Sequence, residues 1–163
     1  MMSWSEFVLA APTVAEIFER RCVAADNLCM LGTVRADGSP RISPMEPRIF
    51  EDRLWIIGMP GTRKFGDLAA DPRFCLHSAT VSTHPTDGDA KLSGRVHHIP
   101  DREQQQRFAE HLFTLIGLDI RGQEFESFYA ADITSASPVQ LVDGHLDITV
   151  WTAGLSERTV RKY

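Results

Sequence analysis

Thr62-Arg63-Lys64 is the stretch of this chain whose residue types could do chemistry. It stands within Gly58-Met59-Pro60-Gly61-Thr62-Arg63-Lys64-Phe65. Before it, Leu54-Trp55-Ile56-Ile57 reads as a buried strand. After it, Phe65, Leu68 and Ala69 repeat at helical spacing. The local expectation is a strand, a tight Pro/Gly turn and a short helix with Thr62 as N-cap. A helix N-terminus carries partial positive charge and prefers acidic side chains. Here the first turn holds Arg63 and Lys64. Two cations beside free backbone N–H groups make a site that an anion, most naturally a phosphate, would fill. The alternative is that both side chains point into water. The turn is not a Walker loop, because the G-x-x-x-x-G-K-[ST] spacing is absent.

Other reactive residue types form no such pattern. His77, His84, His97, His98, His111 and His145 show no recurrent ligand spacing, and adjacent His97 and His98 on a strand face opposite ways, so no metal site is expected. Cys22, Cys29 and Cys75 make no C-x-x-C, which predicts buried thiols in a reducing cytoplasm. Cys29 and Cys75 lie in apolar strand patterns and are expected in the core. No Ser-His-Asp or paired-carboxylate arrangement follows from spacing, so no catalytic residue is assigned.

The chain that must position the basic turn has 163 residues, enough for one domain with a real core. Its net charge of −5, from 17 basic and 22 acidic residues, argues against a general nucleic-acid binder. No apolar run is long enough to span a membrane, and Met1-Met2-Ser3-Trp4-Ser5-Glu6 lacks a signal-peptide pattern. In order, Thr13 and Glu16 have capping-box spacing, and Val14, Ile17, Phe18 and Cys22 trace one helical face. Leu28 to Val34 and Arg41 to Phe50 read as strands around Asp37-Gly38, a strong hairpin signal. Pro44 and Pro47 make the second an edge or bulged strand. A third strand ends at Gly58.

The helix after the turn should stop at Asp71-Pro72. Arg73 to Ala79 is a strand, residues 80–89 a loop, and Lys91 to Ile99 a strand. Asp101 and Gln104 have capping-box spacing for a further helix that Gly117 stops. Phe128 to Val142 and His145 to Trp151 are strands around Asp143-Gly144. The tail from Leu155 is basic. Roughly seven antiparallel strands with few long helices predict a mainly β (α+β) fold, a small barrel with short peripheral helices. A Rossmann fold is excluded by the missing β-α alternation and G-x-G-x-x-G.

The first hairpin, the P-G-T-R-K turn, the D-P-R-F strand and the D-A-K-L-S-G-R strand together resemble the pyridoxamine 5′-phosphate oxidase-like, FMN-binding split-barrel family, over roughly residues 10–163. The resemblance implies one FMN-binding split-barrel domain covering 1–163. It also implies a homodimer with FMN in clefts between subunits. It puts the cofactor phosphate on Thr62, Arg63 and Lys64, with Ile57 and Gly58 from the strand before. Arg41, Ile42 and Ser43 would lie on the flavin side. Trp151 and Arg161 have the spacing of a pair that reaches the neighbouring subunit's flavin.

Two departures stand out. The vitamin B6 oxidases read R-x-V-L-L-K in the first hairpin, and that lysine grips the substrate phosphate. Here the run is Arg41-Ile42-Ser43-Pro44-Met45-Glu46, and a carboxylate there repels a phosphate dianion. Those oxidases end in R-L-H-D-R. Here the tail is Glu157-Arg158-Thr159-Val160-Arg161. The resemblance therefore implies a cytoplasmic flavin-dependent oxidoreductase acting on some other small molecule. Two alternatives share the fold. One is a reductase using the deazaflavin coenzyme (factor 420), the other a non-enzymatic flavin-binding protein.

Overall fold

The computed structural model describes residues 1–80 and 82–163. One antiparallel sheet of nine strands organises them. The strands are β1 Cys29–Val34, β2 Pro40–Met45, β3 Arg48–Phe50, β4 Arg53–Ile57, β5 Arg73–Ser78, β6 Asp89–His98, β7 Phe128–Val142, β8 His145–Thr152 and β9 Arg158–Lys162. The helices are α1 Trp4–Ala10, α2 Pro12–Ala24, α3 Arg63–Ala70 and α4 Arg102–Ile116. The main path runs β2-β1-β5-β6-β7-β4-β3, with β8 added to β7 and β9 to β8. Its two end strands, β2 and β3, are consecutive in the chain. Glu46 and Pro47 alone join them, with no ladder between. The sheet thus wraps round and stays open at one seam, the expected split barrel.

β4 explains how the layers divide. Alternating side chains leave a strand on opposite faces. Leu54 and Ile56 enter the larger core, which draws on α1, α2, α3 and most strands. Trp55 enters a second core with Phe108, Leu112, Phe128 and Ala130, closed by α4. Asp101 caps α4 by accepting from the N–H groups of Glu103 and Gln104 at 2.9 and 3.2 Å. Gly117 stops it in the left-handed region at φ 71°.

Five local expectations are corrected. The stretch Arg41 to Phe50 is two strands, because Pro47 lies at the break. The tail forms β9, and α1 precedes the first expected helix with a true capping box between Ser3 and Glu6. The Thr13–Glu16 box is absent: α2 begins at Pro12, and its N-cap residue Ala11 has no capping side chain. Instead Glu157, from the tail, accepts the N–H groups of Thr13 and Val14 at 3.3 and 3.0 Å. Finally, Cys75 is exposed, since β5 turns Phe74 and Leu76 inward and Cys75 outward; Cys22 and Cys29 are buried.

The close approach of β6 to β7 gives a sharp stability test. The ladder shifts register between Ser93 and Gly94. A Cβ on Gly94 would lie 1.9 Å from the backbone oxygen of Asp132, whereas one on Gly66 would meet nothing within 4 Å. Gly94→Ala is expected to cost about 3 kcal/mol or more, since rigid backbone must move. Gly66→Ala, inside α3, should be neutral or stabilising by about 1 kcal/mol. Chemical denaturation of the two variants checks both signs.

Candidate functional site

α3 starts where the charge pattern placed it, with Thr62 as N-cap at φ −76°, ψ 144°. Thr62 makes no side-chain capping bond, and its hydroxyl oxygen is buried without a hydrogen-bond partner. No acidic residue stands in the first turn of α3. The first N–H groups of a helix have no partner within it, so this short stretch carries free amides, an unpaired hydroxyl and two cations. Arg63 is exposed. Lys64 donates from Nζ to the Pro44 carbonyl at 2.8 Å. Burial lowers the Lys64 pKa, and the Glu46 carboxylate partly opposes that shift. The buried Thr62 hydroxyl has no hydrogen-bond partner, and the hydrogen bond that Lys64 makes goes to a neutral carbonyl, which leaves donors for an anion. The residues fit a phosphate.

Gly58 lets this turn form. A Cβ there would come 2.5 Å from the Phe65 ring, which stacks on Tyr129 with 6.0 Å between centroids. Arg41 reaches the same helix: its Nε donates to the Asp67 carboxylate at 2.6 Å, and the Thr33 hydroxyl donates to the same oxygen at 2.8 Å. The Arg41 hydrogen bond holds the Asp67 carboxyl below its usual range, with Thr33 adding to it. Arg41 therefore anchors β2 to α3. Ser43 is half-buried and Ile42, beside it, is 74% exposed.

Ile57, Gly58 and Lys64 line a cleft of about 550 Å³ between the basic turn, the β2–β3 seam and α4. Met45, Met59, Ile116, Leu118 and Phe125 make much of its wall apolar, and Glu46 and Arg48 are among its charged residues. Arg48, and the segment after α4 that closes the cleft, carry no motif; they meet the turn only through long-range folding.

Two expected site residues lie elsewhere. Trp151 is 1% exposed and packs edge-on against Phe7, ring centroids 5.3 Å apart. Within the single chain this ring packs in the larger core and does not line the cleft. Arg161 sits on exposed β9 and donates to Asp147 at 3.1 Å; it does not line the cleft. The described residues contain no cluster of three or more His, Cys, Asp or Glu able to hold a metal. Among them no helix is long and apolar enough to cross a membrane.

Sequence comparison decides the family. The family model for pyridoxamine 5′-phosphate oxidase matches residues 17–135, most of the chain. The chain belongs to the pyridoxamine 5′-phosphate oxidase family. No curated protein matches it in sequence. Among solved structures, a pyridoxamine 5′-phosphate oxidase-related, FMN-binding protein from Nostoc punctiforme is similar, with TM-score 0.63 and 11% identity over 94% of this chain and 96% of that one. A NimC/NimA family protein from Clostridium acetobutylicum gives TM-score 0.59 and 15% identity, over 95% and 94%. A heme-binding protein from Mycobacterium smegmatis gives 0.55 and 20%, over 82% of this chain and 57% of that one. At these identities the likeness is one of fold. The oxidase-family barrel hosts different ligands, so the choice for this chain rests on its own residues.

Proposed function

We propose that this protein is an FMN-binding oxidoreductase acting on a small organic molecule. The observation that carries it is the α3 N-terminus: an unpaired Thr62 hydroxyl, an exposed Arg63 and a partly desolvated Lys64, the last lining an apolar cleft. FMN would supply the hydride chemistry, so a protein acid or base need not stand out. The chain's own residues bind and orient. Thr62, Arg63 and Lys64 hold the phosphate, Ile57 and Gly58 border the cleft, and its apolar wall excludes water. Arg41 supports the site through Asp67. The Nostoc relative's FMN supports this reading.

The test is a titration of purified protein with FMN, followed by absorbance near about 450 nm as for any oxidised flavin. Saturable, stoichiometric uptake is expected. No uptake of FMN, with tight uptake of the deazaflavin coenzyme or of heme, would replace FMN by that cofactor. A flavoprotein that no electron donor reduces would be a carrier rather than an enzyme.

The protein is further proposed to be a homodimer of single-domain chains, with the cofactor at the subunit interface. β2 and β3 end the main sheet path, and Ile42 on β2 and Met59 beside the turn are 74% and 77% exposed. An isologous contact would cover these edges and apolar side chains. Sedimentation with FMN present is expected to give twice the 18.2 kDa chain mass. A single species at 18.2 kDa at micromolar concentration would refute the composite site.

A further inference from the structure

Arg48 lines the cleft wall from β3, outside the α3 turn to which the proposed function gives the cofactor phosphate. Its side chain is only 12% exposed. Its Nη1 is buried without a hydrogen-bond partner. Its Nη2 faces the Glu46 carboxylate at 3.6 Å, too far for a hydrogen bond, and Glu46 is itself 63% exposed. A guanidinium taken out of water without a close anion is costly to the fold. Its neighbours in the cleft are mainly apolar, among them Met45, Trp55, Leu118 and Phe125.

We propose that the cleft takes an apolar monocarboxylic acid, with the carboxylate on Arg48 and the apolar body along the wall toward α4. This deepens the proposed function and rests on its reading of the cleft beside the basic turn as the ligand site. A guanidinium matches a carboxylate with paired donors, which a point charge does not. The ligand carboxylate takes the position that Glu46 holds loosely. A single negative charge suits the site, because Glu46 beside it opposes a phosphate dianion. Specificity then comes from one polar anchor in an apolar cleft.

The test uses protein whose FMN content has been measured first, and 2-naphthoate and 2-naphthamide as probes, followed by calorimetry. Naphthoate is expected to bind roughly tenfold or more tightly than the amide, as for a charge-assisted contact. Arg48→Gln should abolish that preference while leaving the amide affinity and flavin content unchanged. Glu46→Gln should strengthen naphthoate binding by removing the competing carboxylate. Equal affinities in the wild type, binding of neither probe, or a preference that survives Arg48→Gln overturns the proposal. Should Arg48→Gln fail to fold, unchanged naphthoate affinity in Glu46→Gln overturns it as well. A protein that takes up no FMN refutes the flavin reading alone, since the probe comparison needs no flavin.

Discussion

Given FMN, air and pyridoxine 5′-phosphate, the protein is expected to form pyridoxal 5′-phosphate with a specificity constant at least about a thousandfold below that of a vitamin B6 oxidase. Glu46 lines the cleft where those oxidases present a lysine to the substrate phosphate. Replacing a positive contact by a negative one reverses the interaction, and each lost charged contact typically costs a few kcal/mol. The tail contacts are missing too. Glu157 is engaged at the start of α2, and the Thr159 hydroxyl bonds that of Thr149 at 2.8 Å. Neither lines the cleft. Turnover at the rate of an ordinary enzyme of that type, measured as pyridoxal 5′-phosphate formed, would mean that the pocket has been misassigned.

Replacing Arg63 and Lys64 together by alanine is expected to weaken FMN binding by about a hundredfold or more, taking roughly 1.5–3 kcal/mol for each charge-assisted bond. Lys64→Ala alone should lose roughly tenfold or more. Both variants should keep their stability, because Arg63 is exposed and Lys64 makes one bond, to a carbonyl. Binding requires the protonated ammonium, and burial lowers its pKa from the ordinary 10.5. Affinity should therefore begin to fall as pH rises toward that lowered value, and the decline should be absent in Lys64→Ala. An unchanged dissociation constant in the double variant would remove the phosphate from this turn.

The legible parts of this protein are those whose cause is local. The Asp37-Gly38 and Asp143-Gly144 turns, the stop at Gly117 and the basic start of α3 each follow from a few adjacent residues. β2 and β3 mark the limit. Two prolines announced an irregular strand, but an edge strand tolerates a proline whose missing N–H faces away from its neighbour. Pro44 stays inside β2, while Pro47 falls at the break. α1 escapes a reading by periodicity although its Ser3–Glu6 box is written in the sequence, because seven residues are too few to show a helical period. Trp151 shows another limit: core and ligand wall both use large aromatics, and the packing against Phe7 is invisible to any spacing rule. The Arg41–Asp67–Thr33 contact and the cleft wall join segments far apart in the chain, which no spacing rule reaches.

The grip of Glu157 on Thr13 and Val14 bears on how this protein could change over evolutionary time. The vitamin B6 oxidases carry an arginine at the matching tail position. Restoring it here would do more than add a substrate contact. It would free two amides at the start of α2, at about 1 kcal/mol for a lost cap. It would also set a cation against the positive end of that helix, for roughly another 0.3–1 kcal/mol. Tail and first long helix are therefore coupled: an arginine at position 157 costs least once another group has taken over the cap. A capping side chain at Ala11, which has none now, is the change that would make room for it.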